Sequence, residues 1–164
     1  MSLRSYKDSY EFVLATLRGE ASMDQMVTYE EFASKTLLIA AAGQHEKDII
    51  SILAEMPQRH KAPDFLSSFI SKQALNRKYH TLFDWNKQKI NSFAGLFGPG
   101  MRETIIEHCG GKQSTRDFFY IGSERNRIVH KGLATESIDK TFSEIWEFYE
   151  SSQGFVNSLR SILH

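Results

Sequence analysis

Apolar residues recur every three or four positions along most of the chain, a spacing that predicts helices. The first such segment ends near Gly19, and a glycine favours a helix end. Thr28 and Glu31 have the spacing of a capping box, in which each side chain bonds the other residue's backbone amide. We therefore expect a first helix up to Gly19 and a long second helix from Thr28 to Pro57.

The predicted second helix carries a charged residue on its apolar face. Glu46 falls on the apolar stripe by the three-and-four rule, where a carboxylate is unexpected. The apolar members of the stripe are Phe32, Ile39, Ala42, Ile49, Leu53 and Met56.

Glycine and proline residues divide the second half of the chain. A third helical stretch should open at Pro63 and break between Asp84 and Asn86. The other predicted elements are a short helix through Ile90, Phe93 and Leu96, a loop at Gly98-Pro99-Gly100, an apolar segment ending at Gly110-Gly111, a helix that includes Phe118 through His130 and closes at Gly132, and a final helix from Ile138 to Leu163.

The period-two alternation of a half-buried strand is sustained nowhere in the chain. A length of 164 residues is close to that of one ordinary domain. We therefore predict an all-α helical bundle that forms a single domain over residues 1–164, with an N-terminal helix and connector over residues 1–27.

The overall charge is zero, with 20 basic and 20 acidic residues, which argues against binding nucleic acid by bulk electrostatic attraction. Residues 70–90 are locally basic and contain interleaved aromatic residues, so they form either a phosphate-contacting face for RNA or an ordinary solvated face. The basic residues of this segment are Lys72, Arg77, Lys78, Lys87 and Lys89.

Cys109 is the single cysteine, so the chain forms no internal disulfide and no thiolate zinc site. The first residues lack the apolar core of a secretion signal, and no apolar run approaches the roughly 18 residues of a membrane span. We therefore expect a cytoplasmic protein with no membrane partner.

Familiar cofactor and metal motifs are missing from the sequence. The segment from Cys109 to Thr115 has a lysine and hydroxyl residues but lacks the spacing and upstream glycine of a phosphate loop. His45, His60, His80 and His108 are not paired with carboxylates at metal-binding spacing, so they should be surface or hydrogen-bonded core histidines. We expect neither a metal nor a cofactor.

A polar cluster, Arg125-Asn126-Arg127, precedes Ile128-Val129-His130 on a predicted helix. Asn126 and His130 are four residues apart and share a face, whereas Arg125 is rotated about 140° from His130. One helix cannot easily bring all three side chains together. Two copies related by a two-fold axis could do so, if Arg125 of one protomer meets His130 of the other.

This cluster resembles the signature of the HEPN superfamily, in which Arg-Asn is followed by three residues and a histidine. A looser match at Arg102 and His108 lacks the asparagine, and we treat it as a decoy. The resemblance covers residues 28–163 and is closest to the RiboL-PSP-HEPN branch. Its other elements are the long second helix with Glu46, the stretch Phe69-Ile70-Ser71-Lys72-Gln73, the Phe93 to Gly98 segment and the place of the motif before a last long helix.

The resemblance implies a HEPN-like bundle that dimerises through the helix carrying Arg125 to His130 and cleaves RNA without a metal, leaving a 2',3'-cyclic phosphate. His130 would transfer protons, because an imidazole does so near neutral pH and the end of a helix favours its cationic form. Arg125 would bind the phosphate and stabilise its developing charge. Asn126 would orient His130 or the phosphate.

Three further residues have two interpretations each. Glu46 either holds Arg125 or His130, or merely borders the core. Arg127 and Lys131 are either auxiliary phosphate contacts or surface charges.

The whole domain also has two interpretations. It is an endoribonuclease, which by analogy with the family would act as a toxin or in defence together with an antitoxin or defence-system partner. Alternatively, it is a non-catalytic HEPN-like dimer that binds RNA, a nucleotide or a partner protein.

Overall fold

The computed structural model describes residues 2–70, 72 and 76–164, and for Glu20 and residues 76–78 it describes the backbone but not the side chain. Ser71 and Gln73 of the segment 69–73 therefore lie outside the described residues. The helices are α1 (Leu3–Glu20), α2 (Met23–Arg59), α3 (Asp64–Phe69), α4 (Asn76–Leu82), α5 (Asn91–Ala94), α6 (Pro99–Cys109), α7 (Gln113–Lys131) and α8 (Phe142–Leu163), and a 3-10 turn, Gly95–Phe97, continues α5.

The predicted all-α fold is confirmed, since the described residues form helices and no strand. An isolated bridge between Asp84 and Lys89 lies outside any strand. Within the same residues, no helix combines the length and the apolar character that a membrane crossing requires.

The start of α2 differs from the prediction. Ser22 caps the helix, because its Oγ accepts a hydrogen bond from the Gln25 backbone N–H at 3.4 Å while Gln25 Oε1 accepts one from the Ser22 N–H at 2.9 Å. Thr28 lies inside the helix and its hydroxyl donates to the Asp24 carbonyl at 2.8 Å. The capping box predicted at Thr28 and Glu31 was therefore wrong.

Two proline-containing segments also differ from their predictions. α2 continues through Pro57 to Arg59, because a proline this close to a helix end disturbs only the last turn. Gly98-Pro99-Gly100 is not a loop, since Gly98, with a φ of 81°, precedes α6 and Pro99 begins it. The fixed φ of proline suits the first turn of a helix.

The final helix begins at Phe142 instead of Ile138. Its start is set by a capping box in which Thr141 Oγ1 accepts from the Glu144 N–H at 3.3 Å and a Glu144 carboxylate oxygen accepts from the Thr141 N–H at 2.9 Å. Ile138 therefore lies in the connector between α7 and α8.

The centre of the fold consists of α2, α7 and α8, which pack against one another. Because α2 has 37 residues, it is about 55 Å long and reaches both hydrophobic clusters that the described residues form. One cluster contains Ile49, Ile52, Phe83, Phe93, Phe118, Phe119 and Phe155, and the other contains Tyr10, Leu37, Leu38, Ile128, Phe142 and Trp146.

The apolar stripe predicted for α2 is confirmed in part. Ile49 and Leu53 are buried, but Phe32 is 59% exposed, so its assignment to the core was wrong. Successive helical residues are about 100° apart, and the burial of Ala33 and Leu37 turns Phe32 outward.

Gly122 of α7 packs against the indole of Trp85, and a Cβ at this position would lie 2.0 Å from Trp85 Cζ3. Gly122→Ala should displace the indole and lower the free energy of unfolding by about 1–3 kcal/mol. Gly43→Ala is the matched control, because a Cβ at this other helical glycine meets no atom within 4 Å and should stabilise the protein by about 0.5–1 kcal/mol. Urea denaturation measures both effects, and an equal change in the two variants would contradict the packing.

Candidate active site

The Arg125 to His130 segment forms the end of α7 (Gln113–Lys131), as the sequence predicts. Arg125 and Asn126 are half-buried, whereas His130 is exposed. Arg125 Nη1 donates a hydrogen bond to Asn126 Oδ1 at 3.0 Å. The guanidinium and the amide therefore form one polar unit, about one turn before the imidazole.

An open cleft of about 930 Å³ lies beside this segment. Asn126, His130 and Lys131 line it from α7, and the turn between α4 and α5 lines it from the other side. In this turn Gln88 Nε2 donates to Ser123 Oγ of α7 at 2.9 Å. Asn126 and His130 therefore share a surface that a ligand can reach.

A second cavity, of about 10 Å³, lies deeper and is lined by residues of α2, α4 and α7 together with Trp85. Arg125 lines this inner cavity, His130 lines the open cleft, and Asn126 borders both. This division agrees with the expected rotation of about 140° between Arg125 and His130. Within one chain, the three predicted catalytic residues thus belong to two neighbouring spaces that meet at Asn126.

Glu46 of α2 lines the inner cavity together with Arg125. The Tyr79 side chain lies there as well, and its burial, followed by the negative charge of Glu46, raises the pKa of its phenol, while Arg125 acts in the opposite direction. Tyr79 is therefore a neutral hydroxyl at physiological pH. The cavity places Glu46 with Arg125 rather than with His130, so of the two predicted partners the structure favours Arg125.

Arg127 turns toward the connector between α7 and α8. Its guanidinium bonds both carboxylate oxygens of Glu124, pairs with Glu136 and donates to the Ser137 carbonyl at 2.8 Å. Four of its five N–H groups point at these three partners, because Nε and both protons of Nη2 are used and Nη1 bonds Glu136. These contacts favour a structural role for Arg127, although it also borders the cleft. Lys131 is exposed and lines the cleft as well.

Lys35 of α2 holds the same connector from the other side, a role that we did not predict. It is buried, pairs with Glu31 at 2.7 Å and donates to the Leu133 carbonyl at 3.1 Å. The four-residue spacing of Glu31 and Lys35 on one helix face is the signal that could have predicted the pair. The bond to Leu133 depends on tertiary packing.

The predicted basic segment is described only in part, since the side chains of Arg77 and Lys78 lie outside the described residues. Lys72, Lys87 and Lys89 are exposed. Lys87 Nζ lies 3.4 Å from an Asp84 carboxylate oxygen. The pKa of Asp84 is lowered, mainly because its carboxylate accepts a hydrogen bond from the Lys87 backbone N–H. Lys87 and Lys89 belong to the turn between α4 and α5, but they are not among the residues that line the cleft.

His45 of α2 is buried in the core, and Ser152 of α8 lies 2.7 Å from its Nε2. Its ring packs beside Phe118 and Tyr149, with centroid distances of 5.3 and 5.4 Å. Burial lowers the pKa of His45 to about 4. This histidine is therefore neutral in the folded protein at physiological pH.

The pKa of His45 makes the stability of the fold sensitive to acid. As the pH falls, His45 is protonated near pH 6.5 in the unfolded chain but only near pH 4 in the folded chain. Protonation therefore favours the unfolded chain between these two values. Between these values the protein should lose about 3 kcal/mol of stability through this residue alone. Urea denaturation at pH 7.5 and 4.5 measures the loss, and His45→Gln should show a smaller dependence on pH; an identical dependence would contradict the assignment.

Among the residues that the structure describes, no three His, Cys, Asp or Glu side chains are grouped as metal ligands would be. The chain matches no family model, and comparisons with curated proteins and with solved structures found no significant match.

Proposed function

We propose that this protein is a metal-independent endoribonuclease of HEPN type. The observation that carries the proposal is the open cleft of about 930 Å³ at the end of α7, lined by Asn126 and His130, with Arg125 bonded to Asn126 at 3.0 Å. The size of the cleft is within the range of small-ligand sites, so a nucleotide unit of an RNA chain fits. An imidazole and a guanidinium, brought together across two protomers, provide the groups that phosphodiester chemistry requires.

The proposed reaction is an internal transesterification. The ribose 2'-oxygen forms a bond to the adjacent phosphorus, the bond from phosphorus to the 5'-oxygen of the next nucleotide breaks, and a 2',3'-cyclic phosphate results. The proton of the 2'-hydroxyl passes to water, the imidazolium form of His130 donates a proton to the departing 5'-oxygen, and the neutral imidazole regains its proton from solvent. Arg125 stabilises the charge on the phosphate, and Asn126 holds the guanidinium.

The proposed enzyme is a homodimer through α7. Val129 and Leu133 flank His130, and their side chains are 51% and 39% exposed. Exposed apolar residues beside a polar site favour a protein contact. A two-fold axis near Asn126 would bring Arg125 of one protomer to His130 of the other, which one chain does not do. For its biological role we propose a toxin or defence function with a cognate partner.

The proposal is tested by incubating the purified protein with a single-stranded RNA in an excess of chelator. We expect cleavage products that end in a 2',3'-cyclic phosphate. An RNA of the same sequence with 2'-O-methyl groups is the control and should stay intact, because it lacks the attacking hydroxyl. Binding of RNA without cleavage would replace the enzyme with the non-catalytic alternative, and cleavage of the methylated RNA would exclude the proposed reaction.

A further inference from the structure

The hydrogen bonds of His45 define which of its ring nitrogens carries the proton. Nε2 lies 2.7 Å from Ser152 Oγ, and the Ser152 hydroxyl donates its single proton to the Tyr149 carbonyl at 2.8 Å. Ser152 Oγ can therefore only accept a bond from His45, so the proton of the neutral ring is on Nε2. Nδ1 is left with a lone pair that requires a donor.

Nδ1 of His45 has no hydrogen-bond partner among the described residues, although the side chain is only 2% exposed. A buried acceptor without a partner is unfavourable, and proteins commonly satisfy such atoms with an internal water molecule. His45 lines the inner cavity of about 10 Å³, which has room for one water. The surface of this cavity is mostly apolar, so the water would draw its few further polar partners from Glu46, Arg125 and Asn126, which border the same space.

We infer that one water molecule occupies the inner cavity, donates to His45 Nδ1 and accepts from the Arg125 guanidinium, so that His45 positions the arginine of the proposed active site. The bond from Arg125 Nη1 to Asn126 uses one N–H of the guanidinium and leaves others for the water. The inference rests on the proposed function, because the position of Arg125 matters for catalysis only if it contacts the phosphate. His45 itself lies in the core and does not touch the substrate.

A matched pair of variants separates the two nitrogens of His45. His45→Asn places an amide oxygen near the position of Nδ1 and loses the bond to Ser152, whereas His45→Gln reaches Ser152 and leaves no acceptor at the position of Nδ1. We expect kcat for RNA cleavage to fall about tenfold in His45→Gln with little change in KM, since a small displacement of a catalytic group lowers the rate but not ground-state binding. His45→Asn should retain most of the wild-type kcat even where it is less stable.

Ser152→Ala completes the series, because it removes only the partner of Nε2. Its kcat should stay within about twofold of wild type, since it leaves Nδ1 unchanged. Equal losses of kcat in His45→Asn and His45→Gln, or a loss that follows thermal stability across all three variants, would show that His45 is merely structural and would overturn the inference.

A readout that needs no activity keeps this inference separate from the proposed function. In protein labelled with ¹⁵N-histidine, the nitrogen spectrum of His45 should show a protonated Nε2 and an Nδ1 shifted by an accepted hydrogen bond. The Arg125 Nε–H resonance should move in His45→Gln and not in His45→Asn. A protonated Nδ1, or an Nδ1 with the shift of a free lone pair, would overturn the inference even in an active enzyme. If no RNA is cleaved, these spectra still decide whether the water links His45 to Arg125.

Discussion

His130→Ala should lower the rate of RNA cleavage by about 10²–10⁴-fold, because the variant loses the group that protonates the departing oxygen. The side chain is exposed, so the free energy of unfolding should change by less than about 0.5 kcal/mol. Cleavage assays in chelator together with urea denaturation of the same preparation measure the two effects. RNA binding should persist, since Lys131 and Asn126 still line the cleft.

His108→Ala is the matched control for this experiment. His108 is also exposed, lies in the last turn of α6, and follows Arg102 in the decoy match to the motif. It lies outside the residues that line the cleft, so cleavage should be unchanged. An equal loss of activity in the His108 and His130 variants, or full activity in both, would remove His130 from the active site.

Mixing two inactive variants should restore activity if the site is shared between protomers. Arg125→Ala alone should lower the rate by about 10²–10³-fold, as the loss of a group that stabilises the transition state typically does. In an equimolar mixture with His130→Ala, half of the dimers are mixed, and one of the two sites in each mixed dimer has both residues. The mixture should therefore recover about a quarter of the wild-type rate.

The mixing experiment requires dimers that exchange subunits, so the two variants are refolded together from urea. A mixture of His130→Ala with wild type, treated identically, controls for losses on refolding. If the Arg125 and His130 variants together remain as inactive as each one alone, the two residues act within one protomer and the shared site is excluded. Circular dichroism of Arg125→Ala excludes misfolding as the cause of its low activity.

The sequence predicted the helices well where the evidence was local. α1 ends at Glu20 and α7 ends at Lys131, each within one residue of the prediction. Gly132, with a φ of 106°, follows the end of α7, whereas Gly19 lies inside the last turn of α1. The predicted start of α2 was wrong because the sequence contains two possible capping boxes of the same type, Ser22 with Gln25 and Thr28 with Glu31, and the helix uses the first. Met23 and Val27 are exposed, so the first turns of α2 contribute little to the core, and the Ser22 cap determines where the helix begins.

The site was predictable to the same degree. The rotation between Arg125 and His130 follows from helix geometry alone, and the structure places them in different spaces for that reason. The role of His45 was not predictable, because Ser152 is 107 positions away in sequence. The far wall of the cleft also depends on distant packing, since Trp85 packs against Gly122, and no sequence pattern distinguishes that glycine.

The connector between α7 and α8 is held from both sides, by Arg127 through Ser137 and by Lys35 through Leu133. These bonds hold the connector in place directly after the last turn of α7, which carries His130. A genetic selection for inactive variants should therefore return substitutions at Lys35, Glu124 and Glu136 that leave every RNA-contacting group intact. Such variants would identify residues that hold His130 in place and not residues that contact RNA. An RNA-binding surface inferred from the selection would therefore be too large.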